Sequence, residues 1–346
     1  MRGVMDIPDE LAPAAAAVGN ALERVESTFA AALETDHKPV ADLCSHVERY
    51  RGKMLRPVLA IASGLATHPN AELVFATGEP DALVNSEMVT VGAVVEMVHM
   101  ATLVHDDILD EADVRRRGAT VNNLHGNEPA VILGDYLIAT AYHLCSTLPD
   151  RAYSLAVGRA SQVVCAGELL QLHHREDWTL DEDRYFAIIE GKTGALTAVA
   201  CELGARAAGA GDDARAALAQ YGQTLGNAFQ IQDDLLDLAG TEERVGKSVG
   251  KDLEKGKLTL PLIHHLRTAN ADQRARSLAW LDGASHGGDG EADLRAAIQG
   301  TGSIDYARET AVRLVTRAKG ELDVLPNTPA RGLLGRLADA VTDRAY

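Results

Sequence analysis

Apolar residues recur along this chain at spacings of three and four, in runs of ten to twenty-five residues. Positions so spaced share one face of a helix, and the pattern predicts amphipathic helices almost throughout. Alanine and leucine dominate the runs and β-branched alternation is scarce, which favours helix over strand. Breakers fall at Thr67-His68-Pro69-Asn70, Gly78-Glu79-Pro80-Asp81, Leu148-Pro149-Asp150, Gly209 to Asp213 and Gly283 to Gly290. No βαβ rhythm, nucleotide-binding glycine loop or composition shift interrupts the sequence. The reading is one all-α domain over residues 1–346, with 1–25 a loosely ordered N-terminal segment. The most apolar stretch, Val89 to Val104, carries Glu96 and His99. It reads as a buried core helix rather than a membrane span.

Two of these helical runs end in the same acidic pattern: Asp106-Asp107-Ile108-Leu109-Asp110 and Asp233-Asp234-Leu235-Leu236-Asp237. Asp106 shares a face with Asp110, and Asp233 with Asp237. Like-charged carboxylates side by side in an apolar setting need a counter-charge. Mg²⁺ supplies one, since it prefers a few carboxylates plus phosphate oxygens. One such motif is commonly just a solvated helix end. Two of them, each behind an apolar helix and each followed by basic residues, predict clusters that face each other and grip a diphosphate.

Composition narrows the partners. With 346 residues and 46% hydrophobic content the chain can bury a large core. A net charge of −17 argues against a general nucleic-acid footprint, while leaving room for anions at local basic clusters or metal ions. Cys44, Cys145, Cys165 and Cys201 show no metal or disulfide spacing and read as free thiols in a reducing cytoplasm. The N-terminal run lacks the basic-then-apolar layout of a signal peptide. His173-His174 and His264-His265 lack metal spacing and read as surface or packing residues.

Four basic groups accompany the aspartates: Lys53 and Arg56 in RGKMLRP, Arg115 to Arg117, Lys192 in EGKTGALT, and the lysines of GKSVGKDLEKGKLTLP. Arginine offers a planar fork to phosphate oxygens and lysine a point charge. Together with DDILDEADVRRRG and FQIQDDLLD, in this order over roughly residues 50 to 262, these segments resemble the signatures of the trans-isoprenyl diphosphate synthases of the polyprenyl synthetase family. Arg51, Met54 and Arg117 depart from the family pattern.

The resemblance implies an all-α helical bundle of the isoprenoid synthase type with a central active-site cavity. The reaction implied is Mg²⁺-dependent condensation of isopentenyl diphosphate with an allylic diphosphate, such as farnesyl or geranylgeranyl diphosphate, to a longer all-trans polyprenyl diphosphate. It implies about three Mg²⁺ ions, with Asp106, Asp110 and Asp233 as direct ligands and Asp107, Asp234 and Asp237 in the surrounding shell. Arg115, Lys192, Lys247 and Lys257 would contact the allylic diphosphate. Lys53, Arg56, His99 and Arg116 would form the isopentenyl diphosphate site, and Thr193 and Gln230 would turn their oxygens toward the allylic cation. A homodimer in the cytoplasm, touching the membrane to release product, is likewise implied.

In this family the residues four and five before the first aspartate help form the cavity floor. Here they are Thr102 and Ala101, both small, with medium-sized Val98 and Val95 further up the helix. The expectation is a long product, although close helix packing explains Ala101 equally well. A short-chain farnesyl or geranylgeranyl diphosphate synthase is the alternative. A terpene cyclase fits less well, because aromatics are only 4% and the second motif is DDxxD.

Overall fold

The computed structural model describes residues 7–48, 52–115, 118–239, 251–284 and 291–343. Helices run in the order α1 (Ala12–Leu33), α2 (Lys38–Glu48), α3 (Leu55–Thr67), α4 (Ala71–Thr77) and α5 (Ser86–Leu109). A two-residue antiparallel hairpin follows, β1 (Val114–Arg115) paired with β2 (Gly118–Ala119). Then come α6 (Val121–His125), α7 (Asn127–Ser146), α8 (Ala152–His173) and α9 (Glu182–Ile189). A π-helical turn over Glu190–Gly194 leads into α10 (Ala195–Ala207) and α11 (Asp212–Ala239). The chain closes with α12 (Lys251–Glu254), α13 (Leu260–Thr268), α14 (Ala271–Ala284), α15 (Glu291–Gly300), α16 (Ser303–Glu321) and α17 (Pro329–Thr342).

Helix ends fall where the breakers stand. Asn85 caps α5 by accepting the Met88 N–H at 2.9 Å, and Asp181 caps α9 by accepting that of Arg184 at 2.9 Å. The N-terminal segment expected to be loosely ordered is instead helical from Ala12. Ala14, Ala17, Val18, Ala21, Val25, Phe29 and Leu33 are all buried along one face of α1. Their spacing of three and four is an apolar stripe, and each large member stabilises the fold by about 1.5–3 kcal/mol.

Two compact units make up the chain. The first comprises residues 1–162, 196–223 and 318–338; the second comprises 163–195, 224–317 and 339–346. The chain passes from one to the other within long helices such as α8 and α11, so no linker or composition shift marks them in the sequence.

In the first unit α5 lies at the centre, packed against α1, α3 and α7. Among the described residues it is the one helix long and apolar enough to cross a membrane, and it is mostly buried inside the protein. In the second unit the core gathers Tyr185, Ile188 and Ile189 of α9 with Ile231, Leu235 and Leu238 of α11. Leucines and isoleucines of α13, α14 and α15 complete it.

Candidate active site

Twelve residues of α5 between Met88 and Ala101 are buried, including the acid Glu96. The helix then opens toward its C-terminal end. His99, Thr102, Asp106 and Asp110 are partly exposed at spacings of three, four and four. Asp107 is 1% exposed. Its Oδ1 accepts from Arg115 Nε at 2.7 Å. Arg115 reaches it from β1, on a hairpin tied down on both sides. Thr120 Oγ1 donates to the Ala112 carbonyl at 2.6 Å, Asn122 Nδ2 donates to the carbonyls of Asp107 and Ala112, and His46 Nε2 lies 2.9 Å from the Ala119 carbonyl. Arg116 and Arg117 fall outside the described residues, as does Arg51.

Lys53 and Arg56 flank the start of α3. Met54 holds the left-handed conformation there (φ 49°) and its side chain is buried, which fixes the entry of the chain into the helix. Lys53 is exposed and Arg56 partly buried. Burial pushes the Arg56 guanidinium pKa down, and the carboxylate of Glu96 opposes that shift. Arg56 Nε is enclosed and makes no hydrogen bond among the described residues.

The second unit holds a pocket lined by Gln171, His174, Tyr185, Lys192, Gln230, Asp234, Asp252 and Lys257. Lys192 enters it from the π-helical turn, which seats directly on α8 at two glycines. A Cβ on Gly167 would lie 2.5 Å from the Lys192 amide nitrogen, and one on Gly191 would lie 2.9 Å from the Gly167 Cα. Only glycine at both positions permits that approach. It brings Lys192 Nζ to 2.5 Å from Glu168 Oε2 and 2.8 Å from Gln171 Oε1. The next residue, Thr193, donates to Gln230 Oε1 at 2.7 Å.

The aspartates of α11 divide as those of α5 do. Asp233 is partly exposed, whereas Asp234 and Asp237 are each 6% exposed. Asp234 accepts from Tyr185 OH at 2.7 Å and from Gln230 Nε2 at 2.8 Å. Asp237 accepts the backbone N–H of Asp252 at 3.0 Å and so anchors the chain leading to Lys257. Burial raises the Asp234 carboxyl to about 8, helped by the charges of Asp252 and Asp233 and opposed by its two hydrogen-bond donors. Lys257 Nζ lies 3.9 Å from Asp252 Oδ1. Lys247 falls outside the described residues.

Four contributors have no role in the sequence reading: Glu168 and Gln171 beside Lys192, Tyr185 beside Asp234, and Asp252 beside Lys257. A signal existed for the first two. They stand three apart on a helix directly after Gly167, and the partly buried Lys192 needs a counter-charge. Tyr185 meets Asp234 from 49 residues away, and nothing local marks it.

Among the described residues no three carboxylate, histidine or cysteine side chains converge as a ready-made metal cage. The donor set still fits Mg²⁺, which is held by one or two carboxylates with water and substrate phosphate completing its shell. Asp106, Asp110 and Asp233 offer hard oxygen donors on open helix faces.

The polyprenyl synthetase family profile matches residues 37–298. The chain belongs to the polyprenyl synthetase family. It is an enzyme that transfers prenyl groups and takes isoprenoid diphosphates as substrates. It is 32% identical to the octaprenyl diphosphate synthase of Haemophilus influenzae over 327 residues, 94% of each protein. A geranylgeranyl diphosphate synthase of Methanosarcina mazei is also 32% identical, over 85% of this chain and 86% of its own. Among solved structures, a decaprenyl diphosphate synthase from Rhodobacter capsulatus superimposes with a TM-score of 0.86 at 32% identity, covering 96% of this chain and 98% of that one. A polyprenyl synthase from Caulobacter crescentus CB15, complexed with calcium and isoprenyl diphosphate, gives 0.85 at 30% identity, covering 97% and 98%. The all-α fold is the one these structures share.

Proposed function

We propose that this polyprenyl synthetase family member elongates an allylic diphosphate to a long-chain all-trans polyprenyl diphosphate. The observation that carries the reading is the division of the six aspartates. Asp106, Asp110 and Asp233 are partly exposed, whereas Asp107, Asp234 and Asp237 are buried. Partial exposure suits direct metal ligation and burial suits a supporting carboxylate, which supports the roles the motifs imply.

In the reaction the allylic C–O bond breaks, leaving an allylic cation and diphosphate. The double bond of isopentenyl diphosphate attacks the cation, and a proton is then lost. Mg²⁺ held by the open aspartates would supply positive charge to the departing diphosphate. Lys192 and Lys257 add cationic donors from the pocket, and Arg115 adds its terminal guanidinium nitrogens while Nε stays on Asp107. Arg116 and Lys247 complete the basic set. Thr193 and Gln230 turn oxygens to the cation. Lys53, Arg56 and His99 hold the diphosphate of the second substrate.

Long product length rests on Thr102, which is small and partly exposed one turn before the first aspartate. A homodimer is supported by apolar side chains left in solvent: Leu124, Val131, Ile132 and Leu155, with Leu169 and Leu170 further along α8. A second copy of the chain would cover them. We place the enzyme in the cytoplasm, where its four free cysteines stay reduced, with the membrane as acceptor of the insoluble product.

The test is incubation with farnesyl diphosphate, labelled isopentenyl diphosphate and Mg²⁺, followed by chromatography of the products. Label in chains longer than geranylgeranyl, lost on chelation, is expected. Products that stop at geranylgeranyl length would make this a short-chain synthase.

A further inference from the structure

A single file of buried hydrogen bonds in the second unit links Thr193 to a tyrosine that the family motifs do not include. Thr193 donates to Gln230 Oε1 (2.7 Å), Gln230 Nε2 donates to Asp234 Oδ1 (2.8 Å), and Tyr185 OH donates to Asp234 Oδ2 (2.7 Å). Tyr185 is 3% exposed and Asp234 6%. Asp234 belongs to the aspartate motif, yet both of its oxygens accept from side chains of the protein.

The direction of these bonds decides what the pocket presents. Asp234 Oδ1 accepts from Gln230 Nε2, and Thr193 donates to the oxygen of the same amide. Asp234 therefore sets the amide of Gln230 with Nε2 inward and Oε1 toward Thr193. If Asp234 swings away, the Gln230 amide is free to rotate by half a turn. Its NH₂ would then face Thr193, placing the positive end of the amide dipole where an allylic cation develops. Tyr185 holds Asp234 against that movement.

Building on the elongation function above, we propose that Tyr185 is a positioning residue for prenyl transfer: it anchors Asp234, Asp234 fixes the amide of Gln230, and the oxygens of Gln230 and Thr193 are thereby held toward the allylic cation. In this arrangement Asp234 serves catalysis through Gln230 rather than through the metal.

Tyr185→Phe removes one hydroxyl and keeps the ring. Wild type and variant are compared per mole of folded protein for kcat, KM of both diphosphates, and the Mg²⁺ concentration for half-maximal rate. The expected result is a kcat lowered about tenfold or more, with both KM values and the Mg²⁺ requirement within about twofold of wild type. An unchanged kcat overturns the proposal. So does a raised Mg²⁺ requirement whose loss of rate is recovered at saturating metal, because Tyr185 would then act through the metal site. Asp234→Ala provides the second test, since it removes the acceptor for Gln230 Nε2. It should lower kcat as Tyr185→Phe does, with the Mg²⁺ requirement within about twofold of wild type, and a large rise in that requirement contradicts the proposal even if Tyr185→Phe fails to fold. Wild-type elongation measured alongside separates the two levels. A wild type that does not elongate removes the functional reading itself, and this inference with it.

Discussion

Asp106 and Asp107 are neighbours in sequence, yet the helix turns them about 100° apart. One looks out with His99, Thr102 and Asp110; the other turns inward to Arg115. The same rotation separates Thr102 from Ala101. Thr102 is partly exposed, one turn before Asp106, whereas Ala101 is 0% exposed on the packed flank. Size control is therefore expected at Thr102. Thr102→Phe should shorten the product while the first condensation continues, read by chromatography of the chain lengths. Ala101→Phe should instead overpack the core, at about 1–3 kcal/mol, and leave product length unchanged. The opposite pattern would return Ala101 to the role of chain-length floor. The aspartates and lysines could be singled out in the sequence because charged residues at fixed spacing stand out in an apolar run, and Thr193 because it follows Lys192. Tyr185 was not, because an aromatic in a helix looks like core until its distant partner is known.

Element by element, the helices were readable and the departures from them were not. Alanine- and leucine-rich periods end at proline, glycine and aspartate breakers, and the helix ends fall there. The hairpin that carries Arg115 has two residues per strand, too few to show alternation. The turn over Glu190–Gly194 is π-helical and lies against Gly167 on α8, a contact that local sequence cannot express. The adjacent histidines read as surface or packing residues also part company. His174 pairs with Asp177 at the pocket, while His265 is fully buried between Ser277 Oγ at 2.8 Å and Thr301 Oγ1 at 2.9 Å. His265 thus ties α13 to α14 and to the turn before α16. Burial, with a smaller contribution from His264, lowers its pKa, so the folded state binds this proton less readily than the unfolded chain. Its contribution is full above the ordinary histidine pKa of about 6.5 and is lost as pH falls from there through the folded-state value. Melting temperatures at about pH 7.5 and about pH 5.5 should differ less for His265→Gln than for wild type. An equal difference in the two proteins would assign the acid sensitivity to other groups.

At the scale of the whole molecule, the chain is acidic, with a formal charge of −17, yet each unit carries cations beside its aspartate motif: Arg115 in the first, Lys192 and Lys257 in the second. Composition alone argued against a general nucleic-acid footprint and did not indicate a substrate. The family followed from the order of several motifs, each weak when taken singly. The two compact units were not visible in the sequence, since helices rather than linkers carry the chain through both. The central claim is that departure of diphosphate is coupled to carbon–carbon bond formation. Diphosphate released and isopentenyl units incorporated can be counted in the same reaction, with farnesyl diphosphate, isopentenyl diphosphate and Mg²⁺ present. The account predicts one diphosphate for each unit added, and no release when isopentenyl diphosphate is left out. Diphosphate set free from the allylic substrate without incorporation would mean cyclisation or hydrolysis, and would contradict it.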